Sequence, residues 1–277
     1  MARASRGGAS GAELEQQQGE VDSAPAVEAG VFSQKVFLFS GDKGGVGKSF
    51  WHHVFTDGSY SAGMPMAVVE ADTRNPDVIR VFEGLIDCQM INLRKDDGWM
   101  DVIDFVKAHP NQHIAISLPA GIGESMKKEF ADFCRFLQTK VPGKPEIVLM
   151  WTINLFPDSV NLLYTTWRDI GQYVSKVVVV RNLIFGQEEQ FFVWDESALK
   201  ADLEGRGVAT TVSLPALHLR VTLKLFKDPD CAMPMSQAAA NPQAFNFMPS
   251  EQFKLENYVN HDLAESLAPV WRFVGLA

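Results

Sequence analysis

The chain has 277 residues, of which 46% are hydrophobic, and its formal net charge is −9. This length and composition suit one large α/β domain with tails, and the acidic balance argues against a surface that is basic all over and binds nucleic acid unaided. No apolar run approaches the ~18 residues needed to cross a bilayer, and the first residues lack the apolar segment of a secretory signal, so we expect a soluble protein.

The N-terminal segment is polar and of low complexity. From Met1 to about Gly30 the chain consists largely of Ala, Gly, Ser, Gln and Glu and contains no aromatic residue. Such a segment cannot bury enough apolar surface to offset its ordering entropy. We therefore expect residues 1–33 to form a disordered tail and residues 34–277 to form one folded domain.

Short apolar runs alternate with segments of helical length through most of the chain. The runs are continuous rather than alternating, which indicates strands that are buried on both faces. The pattern predicts an α/β fold of three layers, with a mostly parallel central sheet and helices on both faces. The predicted strands are Lys35–Gly41, Met66–Ala71, His113–Leu118, Glu146–Ile153, Lys176–Val180 and Val208–Val212; helical apolar stripes lie at Trp99–Ala108 and Glu124–Thr139.

The C-terminal region changes in composition after Asp228. Residues 228–250 are rich in Pro, Met, Ala, Asn and Gln and are predicted to form an irregular loop. A closing helix is predicted over 251–274. It packs either on its own sheet or on a partner, and the first arrangement is the more common.

A glycine-rich segment, Gly41–Ser49, lies between the first predicted strand and a helical segment that begins at Lys48. Glycines let successive backbone N–H groups turn inward around phosphate oxygens. Lys48 is placed to contact the β- and γ-phosphates, and the Ser49 hydroxyl to bind Mg²⁺. A chance glycine-rich turn is the alternative, but the strand before it and the helix after it favour a phosphate site. The predicted nucleotide-binding residues here are Gly44, Gly45, Val46, Gly47, Lys48, Ser49 and Phe50.

The strict Walker pattern would have glycine where this chain has Asp42. The segment KGGVGKS instead resembles the deviant Walker A motif of the ParA/MinD family of ATPases, in which a second lysine precedes the glycines. Lys43 matches that lysine. The resemblance implies a P-loop NTPase fold, ATP and Mg²⁺ as cofactors, and a homodimer bridged by ATP, in which Lys43 reaches the nucleotide of the other subunit.

The second predicted strand ends in Glu70-Ala71-Asp72 and resembles the family's switch I, an acid-x-Asp pair. The resemblance gives Asp72 a catalytic role near the attacking water, together with Lys43 and Lys48. It also adds Glu70 and Asp72 to Ser49 as residues that support the metal. A helix cap or a surface acid at the strand end is the alternative for Asp72.

The third predicted strand and its loop, Ile114–Gly123, resemble the family's Walker B and switch II. Ser117 stands where the family has an aspartate, and a hydroxyl supplies only a neutral hydrogen bond to the water shell of Mg²⁺. Nucleotide binding is still expected, whereas hydrolysis is left open. Gly121 keeps the position from which a backbone N–H senses the γ-phosphate.

The valine-rich strand Val177–Val180 is followed by Arg181 and Asn182. They resemble the position at which the family places an Asn or Arg against adenine, so both are predicted to bind the base. Polar residues that merely cap a buried strand are an equally good explanation.

Two branches of the family are disfavoured. Cys88, Cys134 and Cys231 lack the flanking glycines of the iron–sulfur reductases, and their spacing is typical of a reducing cytoplasm. Only Tyr258 lies near the end of the chain, whereas the tyrosine kinases carry a tyrosine cluster there.

The chain most resembles the plasmid mobilisation and partition branch. Asp262 lies where the septum-positioning branch has a basic membrane helix. The resemblance implies a cytoplasmic ATP-dependent dimer switch that acts on a protein partner or on a DNA or mobilisation complex, and not on a membrane. The rival reading is a scaffold that binds nucleotide without hydrolysing it. Arg220, Lys224 and Lys227 are spaced as a DNA-binding helix face or a merely solvated one.

Overall fold

The computed structural model describes residues 32–41, 45–73, 76–119, 127–227 and 232–277. The strands are β1 (Lys35–Ser40), β2 (Met66–Glu70), β3 (Asp87–Met90), β4 (His113–Ser117), β5 (Glu146–Ile153), β6 (Lys176–Asn182) and β7 (Ala209–Leu214). The helices are α1 (Lys48–Ser61), α2 (Asp77–Phe82), α3 (Gly98–Ala108), α4 (Lys127–Lys140), α5 (Pro157–Ile170), α6 (Phe192–Asp195), α7 (Ala198–Gly205), α8 (Leu219–Lys227), α9 (Met235–Ala240), α10 (Pro249–Asn257) and α11 (Leu263–Val274).

The strands form one seven-stranded sheet in the order β3-β2-β4-β1-β5-β6-β7, and every pair is parallel. The predicted parallel sheet is thus confirmed. The edge strand β3 is not among the predicted strands. Its residues Asp87–Met90 are mostly exposed, so it lacks the apolar run by which the buried strands were recognised.

Helices cover both faces of the sheet, which confirms the predicted three layers. Within β1, Val36 and Leu38 face a core that is completed by α3, α4 and α5. Phe37 and Phe39 face the opposite core, which is formed with α1, α2, α8, α10 and α11. Each of these four side chains therefore enters one core or the other, and this explains the continuous apolar run.

The C-terminal region is more regular than its composition predicts. The predicted irregular loop contains α9 and a 3-10 turn at Pro242–Phe245, while residues 228–231 lie outside the described residues. Asp57 of α1 accepts hydrogen bonds from the Ser236 N–H, at 2.9 Å, and from the Ser236 hydroxyl. This distant carboxylate holds the first turn of α9, and no local sequence pattern could have shown it.

The predicted closing helix begins two residues early, at Pro249, and has three parts. A π-helical turn at Tyr258–Asp262 separates α10 from α11. The helices pack on their own sheet, because the Tyr258 hydroxyl donates to the carbonyl of Pro215 and Ser266 donates to the carbonyl of Ser213 in β7. Among the described residues, no helix has both the length and the apolar character that a bilayer-spanning segment needs.

The N-terminal boundary of the packed domain lies at or before Phe32. Residues 1–31 of the predicted tail lie outside the described residues. Phe32, which the composition assigned to the tail, lies with its ring centroid 4.8 Å from that of His113 at the start of β4.

Candidate functional site

The described part of the turn between β1 and α1, residues 45–47, has at its glycines the positive backbone angles expected of a phosphate loop. Gly45 and Gly47 have φ angles of 87° and 92°, in the left-handed region that side chains disfavour. Gly47 also immediately precedes α1 and has no side chain with which to cap it. The first N–H groups of this helix are therefore directed at whatever lies above the turn, an arrangement that suits an anion.

Asn182, at the end of β6, braces this turn. Its side-chain amide donates to the carbonyl of Val46 at 2.9 Å, and its oxygen accepts from the Ile184 N–H at 3.2 Å. A Cβ placed on Gly47 would lie only 2.1 Å from the Asn182 amide nitrogen. Sequence reasoning proposed Asn182 as an adenine contact but did not find this bracing role, because the two segments are far apart in the chain.

Arg181 is not brought to the turn. Adjacent residues of a strand point to opposite sides of the sheet. The Arg181 guanidinium pairs with Glu188 at 3.0 Å and with Asp195 of α6 at 3.3 Å. The structure thus places Asn182, and not Arg181, beside the glycine turn, and adenine binding by either residue stays a prediction.

Lys48 begins α1 and extends toward the carboxyl end of β4. Its Nζ donates to Ser117 Oγ at 3.0 Å and to the carbonyl of Leu118 at 2.6 Å. Asp72 Oδ2 lies 4.0 Å from the same nitrogen. Burial lowers the pKa of Lys48, and Glu70 and Asp72 oppose that shift. The ammonium group is thus held at the junction of β2, β4 and α1.

Glu70 is the buried acid of this junction. Its carboxylate accepts from the Asp72 N–H at 3.1 Å and is also hydrogen-bonded to the Ser117 hydroxyl and the Val78 N–H. Burial raises the pKa of Glu70 to about 7, although these hydrogen bonds and Lys48 act in the opposite direction. Glu70 thereby connects the loop before α2 to the end of β4.

The residues predicted to support Mg²⁺ offer suitable donors. Ser49 supplies a hydroxyl in the first turn of α1, and Glu70 and Asp72 supply carboxylates at the end of β2. Among the described residues, no group of three or more His, Cys, Asp or Glu could hold a metal ion alone. A hydroxyl and two carboxylates are the kind of oxygen donors that Mg²⁺ takes alongside substrate phosphates and water.

Three residues with predicted roles, Lys43, Gly44 and Gly121, lie outside the described residues. Their assigned roles stay predictions. The predicted basic face of α8 is partly neutralised, since Arg220 and Lys224 share the carboxylate of Glu251 at 2.9 and 2.6 Å. The side chain of Lys227 lies outside the described part of the structure.

A parallel sheet of this order, with a glycine turn and a lysine-led helix after its central strand, defines the fold of the P-loop NTPases. No family model matches the chain. The chain is 29% identical over 197 residues to Protein MobD from Acidithiobacillus ferrooxidans, an alignment that covers 69% of this chain and 81% of that protein.

Solved structures with a similar fold have low sequence identity. An ADP complex of a nucleotide-binding protein from Archaeoglobus fulgidus is 14% identical, with a TM-score of 0.47 and coverage of 78% of this chain and 92% of that one. MinD from Aquifex aeolicus is 15% identical, with a TM-score of 0.44 and coverage of 85% and 97%. Chloroplast FtsY from Physcomitrella patens is 10% identical, with a TM-score of 0.46. The match covers 65% of this chain and 58% of the FtsY chain.

The contact between Gly47 and Asn182 predicts unequal effects of two matched substitutions. Gly45→Ala introduces only the cost of a left-handed alanine, about 1–2 kcal/mol, because no atom of the described residues lies within 4 Å of the added methyl. Gly47→Ala also displaces the buried amide of Asn182, so we expect it to lower the free energy of unfolding by about 2–4 kcal/mol in total. Denaturant unfolding of both variants measures the difference, and equal losses would contradict the bracing role of Asn182.

The raised pKa of Glu70 predicts how stability varies with pH in nucleotide-free protein. The folded state binds this proton more tightly than the unfolded state, because the pKa is about 7 rather than 4.5. The stabilisation is present below pH 4.5 and is lost as the pH rises through 7. Between about pH 4.5 and 8, the unfolding free energy of the wild type should fall by roughly 3 kcal/mol relative to that of Glu70→Gln.

Denaturant unfolding of both proteins at each pH, in the presence of a chelator, measures this difference. Groups that titrate in both proteins, such as His53, cancel in the comparison. Curves that run parallel from pH 4.5 to 8 would show that Glu70 keeps an ordinary pKa.

Proposed function

We propose that this protein is an ATP-binding, slowly hydrolysing P-loop ATPase that works as an ATP-dependent dimer switch in plasmid or DNA partition or mobilisation. The observation that carries the nucleotide-binding part is the turn with two left-handed glycines, Gly45 and Gly47, which is followed directly by the buried Lys48. This arrangement combines inward N–H groups, a helix N-terminus and a cation in one place.

Lys48 gives the proposed switch a physical basis. Its ammonium group donates to Ser117 Oγ and to the carbonyl of Leu118. An ammonium has three donors, and the β- and γ-phosphates of ATP compete for them. Nucleotide binding is therefore expected to change the contacts at the end of β4, where the loop after Leu118 begins.

The remaining residues have roles that follow from their positions. Ser49 would provide a ligand to Mg²⁺, which when bound neutralises charge on the β- and γ-phosphates. We assign to Asp72, which lies 4.0 Å from Lys48 and is partly exposed, the role of positioning or deprotonating the attacking water. The phosphates would sit on the N–H groups of residues 44–50, with Asn182 holding the loop and, with Arg181, proposed to contact adenine.

The support for the proposed homodimer and for the proposed cellular role comes from the amino-acid sequence. The segment KGGVGKS resembles a motif in which the first lysine, here Lys43, serves the nucleotide of a second subunit. The role in partition or mobilisation is the one that this resemblance implies, and the chain is also similar to Protein MobD over 81% of that protein. We propose a protein partner or a DNA or mobilisation complex as the target, and the cytoplasm as the site of action.

Binding and dimer formation are tested together. In calorimetry with Mg²⁺, ATP should bind to the wild type and to Lys95→Ala, which is a surface control. Binding to Lys48→Ala should be at least about tenfold weaker, because the negative charge of the phosphates then lacks its cationic partner. Sizing by light scattering should show a dimer only with ATP, and a monomer for Lys43→Ala. Absence of ATP binding to the wild type would refute the proposal; a monomer at saturating ATP would refute the dimer alone.

A second candidate, a scaffold that binds ATP without hydrolysing it, is favoured by one observation: β4 ends in Ser117 and not in a carboxylate. Phosphate release separates the two functions. The ATPase should release phosphate with Mg²⁺, ATP and an activating DNA or partner, and Asp72→Ala should lower that rate by roughly 10²-fold or more. Absence of release, unchanged in Asp72→Ala, would establish the scaffold.

A further inference from the structure

We propose that Glu70 of β2 performs the role of the carboxylate that is absent from position 117 of β4. Glu70 would thus supply the negative charge that stabilises a Mg²⁺–nucleotide complex at this site. The inference rests on the proposed nucleotide-binding function. It assigns the missing charge to a neighbouring strand of this chain. Ser117 then no longer implies that the site has lost its acid.

The strand register makes this exchange possible. Glu70 and Ser117 are direct partners in the parallel pairing of β2 with β4. Partners in register point to the same face of a sheet, on strands about 4.8 Å apart. Glutamate is one methylene longer than aspartate, so its carboxylate can extend toward its register partner, and the nearby Ser117 hydroxyl is one of the groups that favour the charged form of Glu70.

The hydrogen-bond directions fit one acid at this pair of positions. Ser117 Oγ accepts from Lys48 Nζ at 3.0 Å, which leaves the hydroxyl proton for the carboxylate of Glu70. Serine can accept and donate at the same time, so it joins the ammonium group to the carboxylate. An aspartate at 117 would instead bring two carboxylates together in a buried place, where like charges oppose ionisation.

Glu70 also accepts from the N–H groups of Asp72 and Val78, and so it helps to hold the loop between β2 and α2. The experiment must separate this structural role from the proposed electrostatic one. Those two bonds need an acceptor but not a charge. Glu70→Gln keeps one acceptor oxygen of the same reach and removes the charge, while an NH₂ group replaces the second oxygen. Glu70→Gln combined with Ser117→Asp returns the charge to β4 while the glutamine oxygen still holds the loop.

The experiment measures ATP affinity by calorimetry in EDTA and in excess Mg²⁺, and the readout is the ratio of the two affinities. We expect Mg²⁺ to strengthen ATP binding to the wild type and to Asp87→Asn, a control on the exposed edge strand β3. In Glu70→Gln the ratio should fall by about tenfold or more, as when an outer-shell partner of a metal is removed. The double variant should recover a ratio close to that of the wild type.

Each outcome decides the matter. A wild type that binds no ATP refutes the proposed function and this inference together. A wild-type ratio retained in Glu70→Gln refutes the inference alone. A ratio that is lost in Glu70→Gln and not recovered in the double variant also refutes it, because Glu70 then acts by holding the loop. If Glu70→Gln does not fold, Glu70→Asp is measured instead, because its side chain is one methylene shorter and its charge lies farther from position 117. A ratio of the two ATP affinities several-fold lower than that of the wild type supports the assignment, and an unchanged ratio overturns it.

Discussion

The buried ammonium group of Lys48 is the constraint around which the site is organised. A cation removed from water must be paired and hydrogen-bonded, or it loses its charge. Here the end of β4 supplies two acceptors, the Ser117 hydroxyl and the carbonyl of Leu118, and the end of β2 supplies the negative charge of Glu70 and Asp72. The ends of β2 and β4 thus meet α1 at one atom, and any ligand that draws this atom away must disturb these contacts.

The support for this junction comes from distant parts of the chain. Asn182 holds the glycine turn from β6, and Gly47 leaves the room that its amide needs. On the other side, α1 is buried against the C-terminal helices: a Cβ on Gly58 would lie 2.3 Å from Leu267 of α11. Asp57 of α1 in turn holds the first turn of α9. The helix that presents Lys48 is therefore fixed by contacts made more than 100 residues away along the chain.

The pairing of Ser117 with Glu70 changes how the serine at position 117 should be interpreted. Considered alone, a serine where the ATPases that the sequence resembles have an aspartate suggests a site that has lost hydrolysis. Beside its partner in register, the same serine is the hydroxyl that lies between Lys48 and a carboxylate of the neighbouring strand. In the assignment proposed above, the charge of the site comes from the pair of positions, so Ser117 alone does not decide whether the site hydrolyses ATP.

The sequence alone determined the parallel sheet, the phosphate loop and the acids that follow β2, because each leaves a local mark: continuous apolar runs, glycines before a lysine, and polar residues at a strand end. The edge strand β3 and the helix α9 left none, since the first is mostly exposed and the second is stabilised by Asp57. Only the tertiary structure separated Asn182 from Arg181, which are neighbours in sequence but point to opposite faces of the sheet. It alone also paired Glu70 with Ser117, because strand register brings together residues that are 47 positions apart, and no local pattern records which residues will face each other.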